Sequence, residues 1–254
     1  MLTAKRVDHL SKESPTLFEH YNGYECVNRI FRNDIQNVHQ IAHWNGGLYI
    51  CNTYHKQLRW DPFQPNDADS IIFDLDIDHQ TYLNSVYPTD SGIWIVLRQN
   101  GTVVSDAVKI AHDAPFTILD SWKCQHKGVH NILEDDEGQI YYCASDDGKV
   151  VRRAENGESV FWDEVVTGGH VKGLCIHEGY LYAGVSEHAV TRSRRYTADG
   201  KIAKINLDDW RLEDMFSLRS QDETLGNIND VFYLGDFELE VEYAETDIID
   251  KSGQ

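Results

Sequence analysis

Two histidines, two asparagines and a lysine occupy equivalent places in five similar segments of this 254-residue sequence. His39 and His130 carry imidazoles, which titrate near neutral pH and serve as acid–base groups or as ligands of transition metals. Lys172 supplies a cation, while Asn84 and Asn229 supply amide oxygens. If the fold brings these side chains to one point, they could hold a divalent metal, bind an anion or move a proton.

The five segments share one pattern: a short apolar run with a polar start, a turn, and a second run rich in Tyr, Trp, Ile and Val. The segments are residues 37–53, 82–98, 128–145, 170–186 and 227–243. Aligning them places the five polar residues in one column, at spacings of 45, 46, 42 and 57 residues. A period of this length, with turns between short strands, is typical of β-propeller blades.

Each of the first four segments is followed by two further strand-like runs, so each unit supplies four strands. The fifth unit lacks its last two strands, because the sequence ends soon after Tyr243. Strand-like runs within residues 15–33 could complete it, which would join the chain ends and remove an exposed sheet edge. We therefore predict one all-β domain over residues 1–254. It would be a five-bladed β-propeller of four-stranded blades, closed by its N-terminal strands, with 246–254 as a tail.

The first strand of each propeller blade lines the central channel, so polar side chains at the start of these strands would converge at the channel mouth. Residues next to the column add the carboxylate of Asp230, the amide of Asn131 and the imidazole of His170. The predicted catalytic residues are His39, His130, Lys172 and Asp230. The predicted metal ligands are His39, Asn84, His130 and Asn229. The predicted substrate-binding residues are Lys172, His170, Asn131, Arg192, Arg194 and Arg195.

The mixed set of imidazoles and amides does not choose among Fe, Zn, Mn and Ca as the divalent metal. Lys172 would repel a cation at the centre of the cluster. Two alternatives therefore stay open: a hydrogen-bonded channel filled with ordered water, and an anion held by Lys172. No nucleotide cofactor is expected, since the sequence contains neither a P-loop nor a GxGxxG motif.

Residues 186–200 lengthen the fourth unit between its second and third strands, and functional loops are often insertions of this kind. The insertion carries three arginines within four residues, in an otherwise acidic protein. Arginine forks bind carboxylate, phosphate or sulfate groups through paired hydrogen bonds. The alternative is a solvated loop whose arginines pair with the protein's own acidic residues.

The net charge of −19 argues against a nucleic-acid binder or a binder of anionic membranes, because both need basic patches. No apolar run is long enough to cross a bilayer, and the N-terminus has no apolar signal core. We expect a soluble, cytoplasmic protein whose five cysteines are free thiols. The sequence does not predict an oligomeric state.

Two resemblances follow from these residues. The strand starts Leu83-Asn84-Ser85-Val86 and Ile228-Asn229-Asp230-Val231 look like those of gluconolactonase-like and paraoxonase-like propellers. That resemblance implies a divalent metal on the channel axis and hydrolysis of lactones or esters, and it extends only to Asn84, Asn229 and Asp230. Residues 37–235 more broadly resemble a bacterial family of propeller-like proteins of unknown function. This second resemblance implies a fold rather than a reaction.

The leading functional hypothesis is a metal-dependent hydrolase or lyase that acts on a small, anionic substrate at the channel mouth. The alternative is a non-catalytic propeller that binds a glycan or a protein partner on one rim. Aromatic residues such as Trp44, Tyr54 and Trp60 would then make the contacts. An enzyme needs groups that converge on one axial point, whereas a binding platform tends to repeat a site on each blade.

Overall fold

A computed structural model describes residues 2–6, 15–22, 25–62, 71–74, 81–99, 105–113, 117–154, 157–163, 169–187, 194, 197–218 and 227–233. The strands of this part of the chain form five antiparallel sheets. The N-terminal sheet has three strands: β1 (Leu2–Arg6), β2 (Pro15–Asn22) and β3 (Glu25–Gln36). The other four sheets have four strands each and are numbered sheets 1 to 4 along the chain.

Sheets 1 to 4 are simple meanders in which each strand pairs with the next one in sequence. Sheet 1 contains β4 (Val38–Trp44), β5 (Gly47–Asn52), β6 (Gln57–Asp61) and β7 (Ile71–Asp74). Sheet 2 contains β8 (Thr81–Thr89), β9 (Gly92–Gln99), β10 (Ser105–Ile110) and β11 (Ile118–Cys124). Sheet 3 contains β12 (Val129–Glu134), β13 (Ile140–Ala144), β14 (Lys149–Ala154) and β15 (Gly157–Asp163). Sheet 4 contains β16 (His170–His177), β17 (Tyr180–Ser186), β18 (Gly200–Asn206) and β19 (Leu212–Leu218).

Turn chemistry explains the hairpins that open sheets 1 and 4. Trp44 pairs with Gly47 across a two-residue turn in which Asn45 and Gly46 both have positive φ, at 46° and 74°. Two positive φ values in a two-residue hairpin turn match the twist of the flanking strands, and Asn-Gly adopts them most readily. Glu178 and Gly179 form the corresponding turn in sheet 4, with φ of 49° and 77°.

The core lies between successive sheets rather than at one centre. Apolar side chains fill the spaces between the N-terminal sheet and sheet 1, and then between each numbered sheet and the next. All residues of β5 and β13 are buried, because these inner strands have a neighbouring sheet on both faces. The first strands of sheets 1 to 4 also contact one another in chain order. The starts of these strands therefore lie side by side.

The predicted starts of the first four units agree with the structure, where β4, β8, β12 and β16 begin at residues 38, 81, 129 and 170. The two N-terminal strands are present, but they belong to a sheet with β1, a strand that the sequence did not predict. Residues 227–233 have no assigned strand, and residues 234–243 and the tail 246–254 lie outside the described residues. Five blades, ring closure and a single domain therefore remain predictions.

The thiols of Cys51, Cys124, Cys143 and Cys175 are free, as expected. Within the described part of the chain, no helix has the length and apolar character needed to span a membrane.

Candidate functional site

The predicted site residues on β4, β8, β12 and β16 lie at or next to a break in the pairing of the first and second strands. Each first strand has a register shift near its start, between Val38 and Ile41, Leu83 and Ser85, His130 and Leu133, and Val171 and Leu174. Such bulges redirect side chains out of the regular alternation. Asn131 and Gly173 adopt positive φ there, 47° and 81°, which these residue types tolerate. We call residues 39–40, 84–85, 130–131, 172–173 and 229–230 the first-strand cluster.

Side chains of the cluster tie each first strand to the next. Gln40 Oε1 accepts a hydrogen bond from the Val86 amide at 2.9 Å. Ser85 Oγ accepts one from the Asn131 amide at 2.6 Å, and Asn131 Oδ1 accepts one from the Gly173 amide at 2.9 Å. Buried polar groups in proteins are nearly always hydrogen-bonded, and here each of the three side-chain oxygens accepts a hydrogen bond from a backbone amide of the next sheet. The cluster is therefore a hydrogen-bonded belt across sheets 1 to 4.

Asp230 joins the segment 227–233 to both sides of this belt. Its Oδ2 accepts a hydrogen bond from Gln40 Nε2 at 3.0 Å, and its Oδ1 accepts one from Asn131 Nδ2 at 3.2 Å. The Val231 amide also donates to Oδ1, at 3.1 Å. Burial raises the pKa of Asp230 to about 7, although the three donated hydrogen bonds favour the carboxylate. The carboxyl group can therefore change its charge near neutral pH.

His39 is exposed, and its ring is oriented by two oxygen atoms on the same side. Its Nδ1 lies 2.9 Å from Thr53 Oγ1 and 3.3 Å from the carbonyl oxygen of Asn37. The carbonyl oxygen can only accept, and Thr53 directs its own hydroxyl proton to the Leu83 carbonyl at 2.7 Å. Nδ1 is therefore the protonated nitrogen. In the neutral ring Nε2 carries the lone pair that a general base or a metal ligand needs.

His130 is buried and is held in the neutral form. Asn84 Nδ2 lies 2.8 Å from Nδ1 and 3.4 Å from Nε2 of the ring, while also donating to the Val129 carbonyl at 2.8 Å. Two short distances place the amide over the ring rather than in line with one lone pair, and a positively charged ring would repel its N–H groups. Burial lowers the pKa of His130 well below its usual value, and the nearby charge of Lys172 lowers it further.

Positive charge surrounds His130 from several sheets. After Lys172, the groups whose charges oppose its protonation are His39, Arg98 and His170. The rings of His130 and His170 lie 6.5 Å apart in an edge-on arrangement. Asp146 partly balances this charge, because its carboxylate lies 3.4 Å from Arg98 Nη2 and 3.9 Å from His170 Nδ1. The cluster therefore combines cationic side chains with two imidazoles in different environments.

The structure brings together most, but not all, of the predicted site residues. His39, Asn84, His130, Lys172, His170, Asn131 and Asp230 belong to one neighbourhood. Asn229 takes part through its backbone, because its carbonyl oxygen accepts from Asn131 Nδ2 at 3.4 Å. Arg194 is exposed, and its carbonyl oxygen accepts from the Thr197 amide at 3.2 Å. Arg192 and Arg195 lie outside the described residues.

Several participants were missing from the predicted site: Gln40 and Ser85 of the belt, and also Thr53, Arg98, Ser145 and Asp146. Thr53 and Ser145 follow the second strands of their sheets, and both hydroxyls donate to a carbonyl of the next first strand, Leu83 at 2.7 Å and Val171 at 2.6 Å. Aligning the ends of the second strands could have found this pair. Arg98 and Asp146 have no counterpart in the repeat, so no pattern in the sequence indicated them.

The predicted metal set suits a divalent cation poorly. Asn84 turns its amide nitrogen, rather than its oxygen, towards His130, and Lys172 adds positive charge to the same neighbourhood. Within the described ranges, no group of three His, Cys, Asp or Glu side chains could hold a metal ion. Divalent metals are held by convergent lone pairs and are repelled by nearby cations.

No protein-family model matches this sequence, and no curated protein matches it significantly. Solved structures do resemble it. A luciferin-regenerating enzyme shares 12% identity over 91% of this chain and 83% of its own, with a TM-score of 0.59. A putative 6-phosphogluconolactonase from Bacteroides uniformis ATCC 8492 shares 12% identity over 85% and 67%, with a TM-score of 0.52. The Cps50 (Swd1) β-propeller domain of Myceliophteria thermophila shares 9% over 86% and 70%, with a TM-score of 0.51.

This chain has the β-propeller fold. The resemblance to lactonase-like and other propellers that the sequence suggested is confirmed at the level of the fold. Propellers support many unrelated functions, so the function of this propeller must be argued from its own residues.

Proposed function

We propose that this propeller is an enzyme that acts on a small anionic molecule at the first-strand cluster, in the mouth of the central channel. The observation that carries the proposal is that the charges of Lys172, Arg98 and His170 all act on the buried His130, whose ring lies 6.5 Å from that of His170. Positive charge collected at one point of a protein with a net charge of −19 attracts anions locally. A reaction at this point would use the imidazole of His39, whose charge also acts on His130.

We also propose that the ring has five blades, the fifth being formed by the N-terminal sheet and the segment 227–233. Asp230 supports this arrangement, because it bonds to Gln40 on the first strand of sheet 1 and to Asn131 on that of sheet 3. Ile228 supports it too, since its amide donates to Ser186 Oγ on sheet 4 at 2.8 Å. In a five-bladed ring, the segment would take the place of the fifth first strand.

The cluster residues would divide the chemistry between them. Lys172 and Arg98 would hold an anionic group of the substrate by charge-assisted hydrogen bonds. His39, whose Nδ1–H is fixed by Asn37 and Thr53, would act as the general base through Nε2. His130 would stay neutral and keep Asn84 in place. A base beside an anion-binding group suits hydrolysis or elimination, the two reaction types predicted from the sequence.

The test measures binding and turnover in the same set of variants. Inorganic phosphate, acetate and gluconate serve as anion probes by calorimetry, and a panel of lactones and hydroxy acids is screened for turnover by NMR. His39→Gln should remove turnover and leave anion binding intact, whereas Lys172→Met should weaken anion binding at least about tenfold. Lys123→Met, which removes an exposed lysine on β11, is the matched control. Anion binding that is equal in all three variants would refute the proposal.

Metal dependence is a separate proposal with its own measurement. Elemental analysis of protein purified without chelator, and again after incubation with Zn, Fe, Mn and Ca salts, gives the metal content directly. About one equivalent that is lost in His39→Ala would make His39 a metal ligand and the reaction metal-assisted. A content far below one equivalent in every incubation would leave the acid–base groups alone to act.

The alternative is a non-catalytic platform for a glycan or a protein partner. Of its predicted contacts, Trp44 and Trp60 line one cleft, but Tyr54 lies in the turn after β5, at the other end of that strand. Because these aromatic residues do not lie together, they support a binding site on the rim less well than the first-strand cluster supports a site in the channel. Glycan binding that persists in His39→Gln, together with no turnover of any compound in the panel, would favour the platform.

A further inference from the structure

A second site lies between sheets 1 and 2, and we propose that it binds a small alkylammonium ion. The cleft has a volume of about 380 Å³, which is within the range of small-molecule sites. We call it the aromatic cleft. Its lining residues are Trp44, Asn45, Tyr49, Trp60, Asp90 and His112.

The aromatic cleft is separate from the first-strand cluster. Trp44 ends β4 and His39 lies near its start, five residue steps away along the same strand. At about 3.3 Å per residue the two sites are roughly 16 Å apart. Asn45 and Asp90 lie in the hairpin turns at the Trp44 end. The cleft therefore opens on the face of the propeller opposite to the cluster.

The aromatic walls of the cleft are fixed by their neighbours. The ring of Trp44 stacks on that of His112 with centroids 5.5 Å apart and planes 8° apart. Trp60 donates its indole N–H to the Trp44 carbonyl at 3.3 Å. The Trp60 ring also lies over Gly47, where a Cβ atom would come within 2.7 Å of it. A ligand would thus meet rings whose orientation is set in advance, which lowers the entropic cost of binding.

The hydrogen-bonding groups of these walls are already used within the protein. His112 Nε2 lies 2.7 Å from the Thr89 carbonyl, which can only accept, so Nε2 carries the proton. The lone pair of Nδ1 then accepts from the Tyr49 hydroxyl at 2.9 Å. The Trp60 indole N–H already donates its hydrogen bond to the Trp44 carbonyl. The aromatic walls therefore offer a ligand few donors or acceptors of their own, and the half-buried rings of Trp44 and Trp60 are the surfaces that it would contact.

The charge of the lining residues indicates which class of ligand the aromatic cleft would bind. The centre of an aromatic face is electron-rich and attracts cations, most strongly for Trp. Asp90, which is exposed, is the one formally charged side chain among the six lining residues, and neither Lys nor Arg is among them. A carboxylate beside Trp and Tyr rings is the chemistry that recognises quaternary and alkylated ammonium groups.

Choline and its neutral isostere 3,3-dimethylbutan-1-ol make the test specific for charge. Titration is followed by calorimetry and by the indole N–H signals of Trp44 and Trp60, assigned through Trp44→Phe and Trp60→Phe. We expect choline to shift both signals and to bind at least about fivefold more tightly than the isostere. Equal binding of the two compounds, or binding of choline that leaves both signals unmoved, would overturn the proposal.

Two conservative variants locate the charge. Asp90→Asn keeps the shape of the cleft and should weaken choline binding about threefold to tenfold. Asp113→Asn removes an exposed carboxylate next to His112 that does not line the cleft, and it should bind choline as the wild type does. Equal weakening by both variants would mean that net charge, rather than this site, attracts the cation. Binding of glucose in place of choline would assign the cleft to a glycan instead.

Discussion

The first-strand cluster and the aromatic cleft share the strand β4 but are built in different ways. The cluster takes one residue pair from the same position in successive repeats and joins the sheets through buried hydrogen bonds. The cleft takes its residues from sheets 1 and 2 only, and it is held by stacked rings. Repetition thus produces the first-strand cluster, while side chains that differ between the repeats produce the aromatic cleft.

The two sites also differ in charge. Lys172, Arg98 and His170 supply positive charge at the cluster, whereas Asp90 is the charged side chain among the residues that line the cleft. Ligands of opposite charge should therefore bind at opposite ends of β4, and a change at one site should leave the other unaffected. The predictions below test this separation, starting with the largest expected effect.

Gly173→Ala should destabilise the cluster side of the molecule severely. Gly173 has φ of +81°, and an added Cβ atom would lie 2.7 Å from the carbonyl carbon of Asp230. We expect the free energy of unfolding to fall by about 3 kcal/mol or more, from backbone strain and this clash together. Gly179→Ala is the control, since its φ is +77° but no atom lies within 4 Å.

Urea unfolding gives the free energy of unfolding of the two variants, and the indole signals of the cleft serve as a local probe. For the control, the free energy of unfolding should fall by about 1–2 kcal/mol, from backbone strain alone. If both variants lose the same amount, the segment 227–233 does not rest on Gly173.

Asp230 should make stability depend on pH near neutrality. Its pKa is raised to about 7 from an ordinary value of 3.8, so the folded state binds the proton more tightly than the unfolded state does. Stability should therefore fall as pH rises from about 4 to about 7, by on the order of 1–3 kcal/mol. Subtracting the Asp230→Asn curve from that of the wild type isolates this effect from that of His130, whose lowered pKa acts below about pH 6.5 in the opposite direction. Parallel curves would contradict the raised pKa.

Lys172→Met should raise the pKa of His130, because the charge of Lys172 opposes protonation of the ring. The pKa should still stay below its usual value, since burial is the larger cause of the lowered pKa. NMR titration of the imidazole C–H signals measures it, with Lys123→Met as the control. A His130 pKa that does not move would place Lys172 too far from the ring to share a ligand with it.

Thr53→Val should have the smallest effect and the most local one. It removes the hydroxyl that bonds to both His39 and the Leu83 carbonyl, and we expect a loss of about 1 kcal/mol in the free energy of unfolding. Because His39 loses its orientation, the pH profile of any turnover should change while choline binding at the cleft stays as it is. An altered affinity for choline would show that the two sites are coupled through β4.

Local pattern was enough to predict much of the fold. The repeated pattern of a polar start, an apolar run, a turn and a second run predicted β4 and β5, and the period of the repeat predicted where β8, β12 and β16 begin. β1 was missed because LTAKR has little strand pattern of its own and pairs with β2 from a distance.

The sequence by itself determined the column of polar residues, because equivalent positions in a repeated strand must fall at equivalent places in the fold. It could not determine how those residues face one another. That the nitrogen of Asn84 lies over His130, that Arg98 and Asp146 join the cluster, and that Trp44 stacks on His112 all depend on how one sheet packs against the next. Strand periodicity is a local property, whereas contacts between sheets join residues far apart in the chain, so only the tertiary structure decides them.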